Sequence, residues 1–105
     1  MHTKESIQTL LATNDKAVYR ALIVLFERQT ADEQEAESTN HNNGRGFNGR
    51  DAKFGTSLAK QVIAWEQGHY TFRNPLSAGQ MTAARKMIRK YAGQLALVAN
   101  EKAAV

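Results

Sequence analysis

Between Ser77 and Asn100 the apolar residues Met81, Ala84, Ile88, Tyr91, Leu95 and Val98 recur at steps of three and four. That spacing stacks side chains along one side of an α-helix. A strand would alternate with period two and scatter the same residues over both faces. Ser77 followed three residues later by Gln80 is a capping box that opens this helix, and the pattern runs out near Asn100. A seam this long must be covered by other elements. In a chain of 105 residues, 42% of them hydrophobic, those elements form one modest core. The expected architecture is all-α: a compact single domain of four to five helices over residues 1–105, with residues 1–2 and 101–105 frayed and a Gly/Asn-rich central loop.

The partners of the seam follow from similar signals. Thr3 is placed to cap a first helix through Leu11, with Ile7, Leu10 and Leu11 on one face. Asn14-Asp15 caps a second, carrying Val18, Leu22, Leu25 and Phe26 with Tyr19 and Ile23 alongside. Ala21 to Phe26 is apolar nearly all round, which marks the central helix; a strand competes for these six residues, but the pattern continues on both sides. Thr30 and Glu33 form another capping box, so the second helix ends near Gln29 and a new piece restarts as Asp32 to Glu37. Residues 40–51 include seven Asn or Gly, which read as a loop of sharp turns. A third helix runs from Asp51 to about Gln67, with Asn48 or Asp51 at its start, Gly68 as its stop, and Phe54, Leu58, Val62 and Trp65 on one face. His69 to Arg73 alternates as a short extended piece, and Asn74-Pro75 breaks any helix there.

Charge divides the chain. Residues 1–40 hold seven acids and four bases, a net of −3; residues 41–105 hold three acids and ten bases, a net of +7. The basic part suits a polyanion such as DNA or RNA, and equally suits a solvated surface. Several function classes drop out. Without cysteine there is no disulfide scaffold, thiolate zinc site or cysteine nucleophile. The longest apolar run, Ala21 to Phe26, falls far short of a membrane span, and Met1 to Glu5 leads into no apolar signal region. A cytoplasmic protein with no membrane partner is expected, in the host cell if a phage encodes it.

Gly44 to Gly49 matches G-x-G-x-x-G at a helix start, yet no strand precedes it and no βαβ unit fits, so a dinucleotide site is not expected. The turning backbone with Arg45 and Arg50 suits a phosphate or carboxylate; the plainer reading is a structural loop anchored by Phe47. On the last helix Arg85, Lys86, Arg89 and Lys90 form two i,i+4 pairs opposite the apolar seam, spaced to meet phosphates. Lys53 and Arg73 extend this anion-binding set. About nine residues separate the last two helices, too many for a helix-turn-helix. Tyr70 and Phe72 form either a stacking surface or core. The acidic run of Asp32, Glu33, Glu35 and Glu37 is either a solvated helix face or a docking face for a basic partner. Catalysis lacks a constellation: His2, His41 and His69 stand apart, and Ser57 has no adjacent base. No catalytic residue, metal or cofactor is expected.

Gln29-Thr30-Ala31-Asp32-Glu33-Gln34, Asn43 to Asn48 with Asp51 and Phe54, and Ser57-Leu58-Ala59 resemble a pattern in small phage- and plasmid-type proteins and in segments accompanying helicase-like proteins. Leu76-Ser77 with Gln80, Ala84-Arg85-Lys86, and Lys90-Tyr91 with Gln94-Leu95 continue it, so it covers most of residues 14–100. The chain departs from it by a longer connection from His69 to Pro75. The resemblance implies a setting, mobile elements near nucleic-acid processing, and carries over no site residue. The expected function is a non-enzymatic nucleic-acid-binding accessory protein making largely sequence-independent phosphate contacts. The alternative is a protein-interaction module that docks on or inhibits a host nucleic-acid-processing or defence enzyme. A homo-oligomer, with the seam packed between two chains, is left open.

Overall fold

The computed structural model describes residues 2–28, 46–69 and 73–103, with side chains through Glu101, and it is all-α. The elements are α1 (Lys4–Thr13), α2 (Asp15–Glu27), α3 (Ala52–Glu66), α4 (Ala78–Ile88), a 3₁₀ turn (Arg89–Tyr91) and α5 (Ala92–Ala103). The expected helix at 30–37 lies outside the described residues, as do Tyr70 and Phe72 of the expected extended piece.

The capping chemistry falls where the sequence places it. Thr3 accepts from the Ser6 amide while Ser6 Oγ accepts from the Thr3 amide, so the first turn closes on itself. Asn14 Oδ1 accepts from the Ala17 amide and starts α2 directly after α1 ends. Ser77 and Gln80 make the same reciprocal pair at α4. Gly68, at φ +81°, turns the chain out of α3 in the left-handed region, where a side chain would be strained.

Helix α2 is central, packing against α1, α3, α4 and α5. Val18, Leu22 and Leu25 are completely buried, and the seam residues Met81, Ala84, Ile88, Tyr91 and Leu95 close over them. Between Arg89 and Tyr91 the expected continuous last helix tightens into a 3₁₀ turn before resuming. The helix continues through Ala103, past its expected end at Asn100. Near that end the backbone of His2 makes two 2.8 Å hydrogen bonds with Asn100, one donated to Oδ1 and one accepted from Nδ2. No helix among the described residues is long and apolar enough to cross a membrane.

Two expected core positions are corrected. Leu10 is exposed, leaving Ile7 and Leu11 as the buried face of α1. Phe54 is 41% exposed, because α3 turns a different face inward: Ala52, Gly55, Thr56, Leu58, Ala59 and Val62. The small residues on that face admit Phe47 from the preceding loop, which is 1% exposed. Its ring lies so close over Gly55 that a β-carbon there would sit 2.5 Å from Phe47 Cε1. One phenylalanine has taken the core place that periodicity alone gives to the other.

Candidate nucleic-acid interface

Residues 46–51 leave the loop and enter α3, and the last helical rod holds them from below. Gly46 has φ +77°. Its amide donates to Gln94 Oε1 at 2.6 Å, and its carbonyl accepts from Gln94 Nε2 at 3.3 Å. The same Gln94 oxygen accepts from Arg28 Nε at 2.8 Å. The Asn48 amide donates to Tyr91 Oη at 3.1 Å, and the Asp51 amide donates to Asn48 Oδ1 at 3.0 Å. These amides are therefore consumed inside the protein. Phe47 meets Tyr91 edge to face, with ring centroids 5.8 Å apart. Residues 46–51 thus take the structural role weighed for this loop, anchored by Phe47; Gly44 and Arg45 lie outside the described residues.

Among the described residues, Asp51 is the acid bound into this clamp. Tyr91 Oη donates to Asp51 Oδ2 at 2.5 Å, and Lys90 Nζ pairs with the same oxygen at 2.6 Å. Burial, and then the hydrogen bond to Asp51, push the Tyr91 phenol well above its ordinary range. The phenol therefore stays protonated as a donor. Lys90 also stands 5.7 Å from the Tyr91 ring centroid. Sequence reading treats Tyr91 as core and Lys90 as a phosphate ligand; the structure joins both to Asp51.

The four cations expected on one face separate into roles. Arg85 turns back to the α1–α2 junction, donating to the Leu11 carbonyl at 3.1 Å and pairing with Asp15. Lys90 goes to Asp51. Lys86 and Arg89 are exposed and make no ion pair among the described residues. With Arg85 they line a groove of about 700 Å³ between α4 and α1, whose opposite wall is Glu5, Gln8, Thr9 and Thr13. Arg50 and Lys53 are exposed at the start of α3, and Arg73 is exposed before α4. The Lys90–Asp51 pair links the start of α3 to the 3₁₀ turn that follows α4. Asp32, Glu33, Glu35 and Glu37 lie outside the described residues. Among the described residues no group of His, Asp and Glu is placed to hold a metal ion.

Phe54 is the residue at this surface that the sequence reading misassigns. Its signal is available in the sequence: Arg50 lies four positions before it and Ser57 three after it, with Lys53 adjacent in sequence, so polar residues share its side of the helix. No protein-family model, curated protein or solved structure matches the chain.

Proposed function

We propose that the protein is a non-enzymatic nucleic-acid-binding accessory protein of a phage or mobile element, with largely sequence-independent phosphate contacts. The observation that carries this reading is the pair of exposed cationic stretches, Lys86 on α4 with Arg89 in the 3₁₀ turn, and Arg50 and Lys53 at the start of α3. Exposed lysines and arginines gain little from folding as a hydrated surface, and like charges one turn apart on a helix repel. Phosphates along a nucleic-acid backbone relieve that repulsion, and the released counterions drive binding. The groove between α4 and α1 gives such a strand a bed with three bases on one side.

An anisotropy titration with labelled DNA and RNA at low and moderate salt tests the reading. Binding at low salt that weakens steeply with added salt, and is lost in a Lys86→Glu/Arg89→Glu variant, supports it. No binding at low salt removes it. The remaining reading, docking on a host enzyme through Asp32 to Glu37, predicts a salt-resistant protein partner retained by that variant.

A further inference from the structure

We infer that Phe54 is a stacking platform for the bases of a single-stranded nucleic acid, with Arg50 and Lys53 holding the flanking phosphates. This rests on the nucleic-acid reading above and names the form of the ligand.

Three large apolar side chains are exposed among the described residues: Leu10, Phe54 and Leu97. Leu10 belongs to an apolar groove with Ile7, Val24 and Val98, and Leu97 stands on α5 in the turn before Glu101. Arg20 also lines the groove of Leu10, but Phe54 alone of the three has two bases within four positions of it in sequence, Arg50 and Lys53. Asp51 already has right-handed helical backbone at φ −96° and ψ −10°, so Arg50 leads into the helix about one turn before Phe54. Positions 50, 53, 54 and 57 then share one side of α3, and all four residues are exposed. No acid occurs from Ala52 to Trp65. The nearest one, Asp51, is buried, with its carboxylate bound to Tyr91 and Lys90. The stripe is an aromatic ring with two cations on its N-terminal side and, among the described residues of this stretch, no exposed negative charge beside it.

Each component matches one part of a single strand. A π-face accepts any unpaired base by stacking, and the two cations beside it take neighbouring phosphates. A duplex keeps its base faces stacked internally and offers Phe54 nothing but its backbone. The core supplies a further argument. Phe47 fills the pocket over Gly55, so the ring of Phe54 is not needed for packing and is left on the surface.

The test compares a fluorescein-labelled oligothymidylate with a duplex of equal length, using the full chain. Phe54→Ala and Phe54→Leu weaken single-strand binding about 5- to 100-fold and leave duplex binding unchanged. Phe54→Trp retains single-strand affinity, and its emission is quenched by the oligothymidylate beyond the wild-type change from Trp65. Thermal melts of each variant report that the fold is intact, as expected for an exposed side chain. The inference is overturned if Phe54→Ala stays within about twofold of wild type, if Phe54→Leu binds as wild type, or if duplex and single strand weaken together. In those cases salt-sensitive binding that is still lost in Lys86→Glu/Arg89→Glu leaves the broader reading standing. Wild-type protein that binds neither probe removes both.

Discussion

Gly55 and Phe47 show how one missing β-carbon decides the face of a helix. A glycine inside a helix usually costs about 1 kcal/mol relative to alanine. Here it leaves the space into which Phe47 packs, with the ring atoms 2.5–2.6 Å from where a β-carbon would stand. Gly55→Ala is therefore destabilising, by about 1–3 kcal/mol, because overpacking outweighs the helix preference. Gly93→Ala, where nothing lies within 4 Å, is stabilising by up to about 1 kcal/mol. Urea midpoints of the two variants check the contrast, and Phe47→Leu combined with Gly55→Ala recovers part of the loss. Tyr91 supplies a second residue-scale expectation. Its phenol is raised in the folded state, so its contribution is fully present below about pH 10 and is lost as pH rises through and beyond that value. Tyr19 is raised in the same direction, by burial and by Asp15. Wild-type stability falls more steeply than that of Tyr91→Phe in urea titrations above about pH 10.

At the scale of elements, Gln94 connects three parts of the chain. One side chain on α5 receives Arg28 at the end of α2 and brackets the backbone of Gly46. Gln94→Ala leaves the Gly46 amide and the Arg28 guanidinium without their acceptor and costs about 1–3 kcal/mol. Amide exchange of Gly46 and Asn48 speeds up in that variant more than exchange in the middle of α2. Such links explain what the sequence disclosed and what it withheld. Thr3, Asn14, Ser77 and Gly68 act within one turn of their own position, and local chemistry was enough to place them. The burial of α2 and of the 81–95 seam follows from periodicity. Periodicity points Phe54 inward because a count of steps ignores what competes for the face; Phe47, seven residues earlier, occupies it instead. The joining of Asp51 to Tyr91 and Lys90 spans about forty residues, and no spacing rule reaches that far. The candidate site was legible as a set of cations and illegible as an arrangement, since Arg85 and Lys90 choose partners on other helices.

Across the whole molecule, the net charge of +4 conceals a chain whose later part carries +7. Two of those bases are paired with acids, Arg85 with Asp15 and Lys90 with Asp51. The remaining exposed bases set the salt dependence. Reversing Lys86 and Arg89 flattens the slope of log affinity against log salt by about 1.4–1.8, the loss of two phosphate contacts. Titrations at several salt concentrations read this directly, and an unchanged slope places the phosphates elsewhere. The two hydrogen bonds between His2 and Asn100 bear on connectivity. They bring two positions 98 residues apart in sequence side by side. A short flexible bridge between these positions closes the backbone into a ring without moving a helix. Circular permutants opened at the exposed turn of Gln67 and Gly68 therefore keep the helix packing while changing the order in which the helices are made.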